Sequence, residues 1–438
     1  MHPLVRFSYD AAGAVTRFAV AVAPSGDSKL LKALTSRRGL LNRYRAWAST
    51  GRDRSRPLLW VHAPSVGEGL QALPVIQAFR AKRPDVQVAY TFYSPSAERF
   101  AASTGADFFD YLPFDNERDT SEALDIIAPT AVVFSKLDVW PILVAGAAKR
   151  GVKTGLLSAT VPESSKRRSG IALMALREAY EALDVVGAIS PSDAERLLAM
   201  GVHGDRMTVT GDTRYDQVWA RANAPNPARD NVKALYEDRR LTLVAGSTWP
   251  SDERRLLPAW VQARRQVPSA RLIIAPHELK PKHLAAIEKW ARESSLTLSR
   301  TSEGEVRATE VVLVDQYGLL ADLYAVADAA YVGGGFHRDG LHSLLEPASF
   351  GAPVLMGPMH MDNRDAGLLV AGGGAMRCFG SGDISARLLA WFRSPAVLGR
   401  ASASARRVVE AGTGAADRSI ELVEGLFQLP NSGSKDAG

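Results

Sequence analysis

The sequence predicts an α/β protein built on two doubly wound parallel sheets, and three observations carry that prediction. The chain has 438 residues, more than one hydrophobic core usually organises. Short apolar runs alternate with longer helical patterns over most of its length, as they do where helices cover both faces of a parallel sheet. The alternation lapses once, near the middle, in Arg-Ala-Asn-Ala-Pro-Asn-Pro-Ala-Arg, a stretch that supports neither helix nor sheet.

The buried strands expected before that lapse are 58–62, 86–91, 131–134, 153–157 and 185–189, each a short apolar run. A second series follows at 241–246, 271–275, 311–314, 329–332 and 354–356. Beyond Gly380 the pattern is mainly helical, closing with a helix over 415–427. The expected organisation is a membrane-proximal helical segment over 1–50, a first domain over 51–217 and a linker over 218–232. A second domain with the terminal helices then spans 233–429, and a polar tail, expected to be disordered, spans 430–438.

Composition narrows the class. An apolar fraction of 46% with 23% charged residues is that of a globular protein. The single cysteine, Cys378, allows no intrachain disulfide and fits a reducing compartment. A formal charge of +6 favours anionic partners, but no basic stripe interleaved with aromatics argues for nucleic acid. The apolar run 11–24 is broken by Arg17 and is too short to span a bilayer. The acid Asp10 ahead of it also argues against a signal peptide. After it, Lys29, Lys32, Arg37, Arg38, Arg43 and Arg45 alternate with leucines. That pattern suits either a basic face lying on anionic headgroups or an ordinary packed helix with a solvated face.

Two segments carry chemistry. The first is His62-Ala63-Pro64-Ser65-Val66-Gly67-Glu68-Gly69, between a strand and a helix start that favours an ionised carboxylate. Ionised Glu68 is the form a general base needs to take a proton from a hydroxyl, and it should face the cleft between the domains. Alone, such an acid is more often a helix cap. The second is Gly333-Gly334-Gly335-Phe336, followed by Leu341-His342-Ser343-Leu344-Leu345-Glu346-Pro347. Glycines there admit close approach of a phosphate, the next helix start offers N–H donors, and Glu346 is placed to accept from a ribose diol. A triple glycine by itself is a weak signal.

Taken together, H-A-P-S-V-G-E, V-W-P, T-G-D-T-R-Y-D, A-G-S-T, G-L-H-S-L-L-E-P-A and G-A-P-V-L resemble, in order, successive blocks of the bacterial 3-deoxy-D-manno-octulosonic acid (Kdo) transferases. The resemblance spreads from about Leu58 to Ala375. It implies the GT-B architecture, two Rossmann-like lobes facing a cleft, and inverting transfer of Kdo from CMP-Kdo to a lipid A precursor in lipopolysaccharide core biosynthesis. Work at the cytoplasmic face of the inner membrane, as a peripheral protein without a transmembrane span, is implied as well. Glu68 then occupies the general-base position. His62, Ser65, Gly67, Lys136, Asp138 and Trp140 fall on the acceptor side. Arg214, Ser247, Thr248, His277, Gly334, Gly335, His342, Ser343 and Glu346 fall on the donor side. No metal or other cofactor is expected, since helix N-termini and cations can carry the charge of a departing nucleoside monophosphate.

Several positions depart from the family pattern. Its E-T-E-L-W-P reads Lys136-Leu137-Asp138-Val139-Trp140-Pro141 here, exchanging a carboxylate for an amine. Thr160 stands where an arginine is expected, with Lys166, Arg167 and Arg168 nearby as substitutes. P-R-H becomes Pro276-His277-Glu278, an acid becomes Leu319, and an asparagine becomes Ser343. These exchanges keep open a GT-B transferase using another nucleotide sugar, or a non-catalytic homologue that binds lipid or a partner. Asp115 and Asp138 read as cleft or capping residues. His203, His283 and His360 read as isolated, and Trp219, Trp249, Trp260, Trp290 and Trp391 as packing.

Overall fold

The computed structural model describes residues 20, 24, 29–224, 230–304, 306, 308–360 and 363–428. Most of the apolar run 11–24, the heart of the expected linker and the tail 430–438 therefore lie outside the described residues. The chain divides into two compact units, 1–217 with 413–438, and 218–412.

The first unit is built on a seven-stranded sheet of β1 (Leu58–His62), β2 (Gln87–Phe92), β3 (Phe108–Tyr111), β4 (Ala131–Ser135), β5 (Lys153–Ala159), β6 (Val185–Ala188) and β7 (Met207–Val209). Its order is β3-β2-β1-β4-β5-β6-β7, with every neighbouring pair parallel. Strands β1, β2, β4 and β5 are buried along their whole length, because helices cover both faces and leave no solvent side for polar alternation. The second unit repeats the plan with β8 (Thr242–Thr248), β9 (Arg271–Pro276), β10 (Leu298–Arg300), β11 (Val311–Leu313), β12 (Ala329–Val332), β13 (Val354–Met356) and β14 (Ala375–Arg377). Its order is β10-β11-β9-β8-β12-β13-β14, again wholly parallel. Strand order reverses between β1 and β4 in the first sheet and between β8 and β12 in the second. Crevices for ligands open at the carboxyl ends of such switch points.

Helix Ala415–Leu426 corrects the expected domain boundary. Rather than closing the second unit, it packs on helix Val66–Lys82, β5 and β6, placing Ile420, Val423 and Leu426 in the first core. Asp216 caps it, accepting from Gly414 N at 2.6 Å and Ala416 N at 2.8 Å. Arg418 Nε donates to Thr210 O at 2.8 Å. The T-G-D-T-R-Y-D block thus serves to fasten this returning helix. The start of the expected linker is also helical, since helix Arg214–Asn223 runs through the unit boundary.

The basic residues before β1 are largely committed within the first unit. Tyr44 and Trp47 of helix Leu40–Thr50 pack on Phe108 at 4.9 and 4.6 Å between ring centroids, so the helix covers edge strand β3. Arg43 forks onto Asp110 at 2.7 and 2.9 Å, and Arg45 pairs with Glu122. Arg37 is 5% exposed and donates to the carbonyls of Leu112, Ala33 and Tyr93 at 3.0, 2.7 and 3.1 Å. Replacing it would leave those acceptors without that donor, so Arg37→Ala is expected to cost about 2–4 kcal/mol in urea denaturation.

Candidate functional site

In the first unit β1 ends at His62, and the chain turns through Ser65 into helix Val66–Lys82 with Glu68 in its first turn. Across the switch point β4 ends at Ser135, and Lys136 follows in a left-handed conformation, φ +68°. That turn aims the lysine at Glu68, with Nζ 3.1 Å from Oε1, while Ser65 Oγ donates to Oε2. The Ser135 hydroxyl donates to the Glu68 carbonyl at 3.2 Å, tying the helix start to β4. Burial would raise the Glu68 carboxyl, but the Ser65 hydroxyl and the Lys136 ammonium outweigh it and hold it below the usual carboxylate range. Glu68 is therefore no helix cap; it is a half-buried carboxylate kept ionised.

Asp138 organises the neighbouring side chains. Trp140 Nε1 donates to its Oδ2 at 3.1 Å, and His62 Nε2 lies 3.5 Å from the same oxygen. Arg167 Nη2 donates to Oδ1 at 3.1 Å. Burial pushes the Asp138 carboxyl up, and His62 and Arg167 together more than reverse the shift. Arg167 thus supplies a cation from a different backbone position than Thr160, whose hydroxyl instead donates to Asp193 at 3.2 Å. His62 is wholly buried, with Nδ1 3.1 Å from Thr91 Oγ1, so its reach is to Asp138 and not outward to solvent. Trp140 stacks on Tyr93 at 5.5 Å. Gly67 is exposed, and a Cβ there would meet only Ser65 Oγ, at 3.8 Å. Gly69 is the glycine that packing demands, because a Cβ there would press into Phe100 and sit 2.7 Å from the Tyr90 hydroxyl. Asp115 is a cap, accepting from Ile142 N and Leu143 N at 3.0 and 2.8 Å.

Arg214 also lies in the first unit, where it closes a fork on buried Asp212 at 2.7–3.1 Å. Its donor-side assignment is thus weakened, because the guanidinium already holds a carboxylate.

In the second unit the corresponding switch point brings Ser247 and Thr248, ending β8, beside Gly333-Gly334-Gly335 after β12. Gly333 N donates to Gly246 O at 2.9 Å. Asp252, fully buried in the first turn of helix Pro250–Gln266, holds the loop. Its carboxylate accepts from Gly334 N at 2.9 Å, Phe336 N at 3.3 Å, Trp249 N at 3.0 Å and the Tyr331 hydroxyl at 3.1 Å. Beside this cradle four rings cluster, two imidazoles stacked on Trp249 and a third tilted against one of them. Trp249 lies between His337, at 4.0 Å, and His277, at 4.5 Å, and His342 follows His277 at 4.5 Å. The indole Nε1 donates to His342 Nε2 at 3.3 Å. Burial lowers the His342 imidazole's affinity for a proton, and His277 and His337 add to that effect.

Trp249 is therefore part of this cluster and not generic packing, whereas Trp260 and Trp391 do lie in the second core. Ser343 is exposed. Glu346 sits in a single turn, Leu345–Ser349, so the helix after the glycines is too short for the expected N-terminal anion site. Burial pushes its carboxyl up, opposed only in part by Arg221. Neither Asp252 nor His337 was singled out by the motifs, although Pro250 and Asp252 at the first and third positions of a helix form a readable start signal. Among the described residues no cluster of three or more His, Cys, Asp or Glu is placed to hold a metal ion.

His283 is not isolated. Its Nε2 lies 2.9 Å from both oxygens of Glu253, which also accepts from the Thr248 hydroxyl at 2.8 Å. The bond to Glu253 raises the His283 imidazole above its ordinary value. A raised native value stabilises the fold fully below the unfolded pKa and loses that contribution as pH rises through the native one. His283→Gln keeps a donor but not the charge. It is expected to be less stable than the parent by ~1 kcal/mol near pH 6, with the gap in urea midpoint closing at alkaline pH.

Two doubly wound parallel-sheet units, one presenting an ionised carboxylate and the other a glycine cradle at its switch point, give the GT-B architecture. The profile of the 3-deoxy-D-manno-octulosonic-acid transferase (kdotransferase) family matches residues 33–217. The chain is 30% identical over 380 residues to the 3-deoxy-D-manno-octulosonic acid transferase of Bordetella pertussis, covering 84% of this chain and 86% of that protein. With the transferase of the same name from Haemophilus influenzae it shares 24% over 304 residues, covering 68% and 70%. In fold it is similar to UDP-GlcNAc 2-epimerase from Neisseria meningitidis, with a TM-score of 0.60 at 14% identity, covering 84% of this chain and 100% of that one. The chain belongs to the 3-deoxy-D-manno-octulosonic acid transferase family.

Proposed function

We propose that the protein transfers Kdo from CMP-Kdo to a lipid A precursor of the lipid IVA type, with inversion. The acceptor hydroxyl attacks the anomeric carbon, its proton passes to Glu68, and the bond from that carbon to the phosphate oxygen breaks, releasing CMP with the bonding electrons. The observation that carries this reading is Glu68 itself, ionised at a switch point and flanked by Ser65 and Lys136. Asp138, Arg167 and Trp140 would position the acceptor beside it. The cradle of Gly334, Gly335, Thr248 and the stacked rings would seat the donor, with no metal required.

A lipid acceptor at the cytoplasmic membrane face is supported by the start of helix Gly170–Glu181. There Ile171 and Met174 are 74% and 50% exposed, directly after exposed Lys166 and Arg168, a pairing suited to anionic lipid. Among the described residues no helix is long and apolar enough to cross a membrane.

Incubation with CMP-Kdo carrying labelled sugar and lipid IVA is expected to yield labelled lipid, separable by thin-layer chromatography. CMP is also expected to raise the melting temperature where UDP and GDP do not. Stabilisation by UDP or GDP alone, without labelled lipid, would move the assignment to a transferase using another nucleotide sugar.

A further inference from the structure

Resting on the donor reading above, we propose that the Trp249 ring stack is a proton-coupled seat for the donor's phosphate, taking up a proton on His277 or His337 as the anion binds. The geometry separates the three imidazoles by role. His342 Nε2 accepts the indole N–H, so protonation there would break that bond, and His342 serves best as a neutral donor through Nδ1. His277 and His337 instead lie on opposite faces of Trp249, at 4.5 and 4.0 Å with interplanar angles of 29° and 3°. An imidazolium on either face gains from the negative π surface of the indole.

Only one such cation is easily held, because imidazoliums at both His277 and His337, each stacked on the same indole, would repel one another. Histidine is the side chain whose charge changes near neutral pH, and a bound phosphate is the charge that would favour protonation. His277 is exposed and follows β9, with its backbone N–H bonded to Thr248 O at 2.9 Å. The anion therefore has access at the cradle's edge.

Other charges around the stack come from three elements. Helix Pro250–Gln266 contributes Asp252, already bonded to four donors, and Arg255, over the Phe336 ring at 4.4 Å. The glycine loop contributes Arg338 and Asp339, the latter 3.5 Å from His337 Nδ1. The segment after β9 contributes Glu278, paired with Lys280 at 2.7 Å. Trp249 acts here as a positioning residue, and His337 joins the donor side, where no motif placed it.

The test is calorimetric titration of the full chain with the methyl ester of CMP, whose phosphate does not titrate near neutrality. Titrations at one pH in buffers of different ionisation enthalpy report the proton count. Uptake of a fraction of a proton is expected, with affinity weakening as pH rises from about 6.5 to 8.5, by up to about tenfold per pH unit. The double variant His277→Asn/His337→Asn should bind without uptake, and Trp249→Leu should show less uptake than Trp249→Phe. Binding to the parent with no uptake, or undiminished uptake in the double variant, overturns the coupling while leaving the donor reading standing. Failure of both CMP and its ester to bind overturns the donor reading and this inference with it.

Discussion

Glu68→Gln is expected to lower kcat for Kdo transfer by about 10²–10⁴-fold, the usual contribution of a positioned general base, with little change in KM for either substrate. Glutamine preserves the shape: its amide oxygen can accept from Lys136 while its NH2 donates to the Ser65 hydroxyl, so both contacts can be kept with the Ser65 bond reversed. The lost property is the capacity to take a proton. A melting temperature close to that of the parent would show that the effect belongs to chemistry and not to folding. Equal turnover by both proteins would remove Glu68 from the mechanism.

The direction of the Glu68 shift adds a pH signature. Because Ser65 and Lys136 outweigh burial and hold the carboxyl below its ordinary value, the base is ionised at every pH above the ordinary carboxylate range. The acid limb of kcat/KM due to this group should therefore lie below the ordinary carboxylate range. Lys136→Met deletes the ammonium while leaving the Ser65 bond, so the same limb should move to higher pH. The exchange of a family carboxylate for Lys136 then acquires a second meaning. The family pattern puts Lys136 on the acceptor side; in the structure its amine rests on the base and helps set its ionisation.

What the sequence made legible follows from burial. The five strands expected in each half correspond to the inner strands of the two sheets, almost wholly buried between helices. The four that escaped notice, β3, β7, β10 and β14, are the edges of the two sheets. Three of them are partly exposed throughout or nearly so, with runs such as Met-Thr-Val and Leu-Ser-Arg, too short and too polar to announce a strand. Helix Ala415–Leu426 was recognised, but its allegiance was not, because an amphipathic pattern reveals an apolar face and not the core that receives it. At the site, the motifs located Glu68, the glycines and His342. They missed Asp252 and the placement of Trp249 between two imidazoles, since both depend on β8 and β12 lying side by side despite their distance along the chain.

The glycine cradle offers the second large effect, and it separates backbone strain from steric exclusion. Gly334 has φ +93°, and a Cβ there would run into the carbonyl of Gly340. Gly335 has no positive φ, but its Cβ would enter the backbone of Gly357, 2.6 Å from that Cα. Gly340 has φ +90° with nothing within 4 Å of the added carbon. Alanine at 340 thus adds only conformational strain, roughly 1–2 kcal/mol. Alanine at 335 adds a collision between two backbones that cannot turn aside, and alanine at 334 adds both. Stability loss in urea is expected to rank Gly334→Ala above Gly335→Ala above Gly340→Ala, with the first costing about 3 kcal/mol or more. Donor-side binding should follow the same order, because displacing Gly334 N also displaces its bond to Asp252 and, through that carboxylate, the turn that carries Trp249. Equal losses at 334 and 340 would mean that the loop yields freely, and a yielding loop could not hold the rings in register beside the cradle.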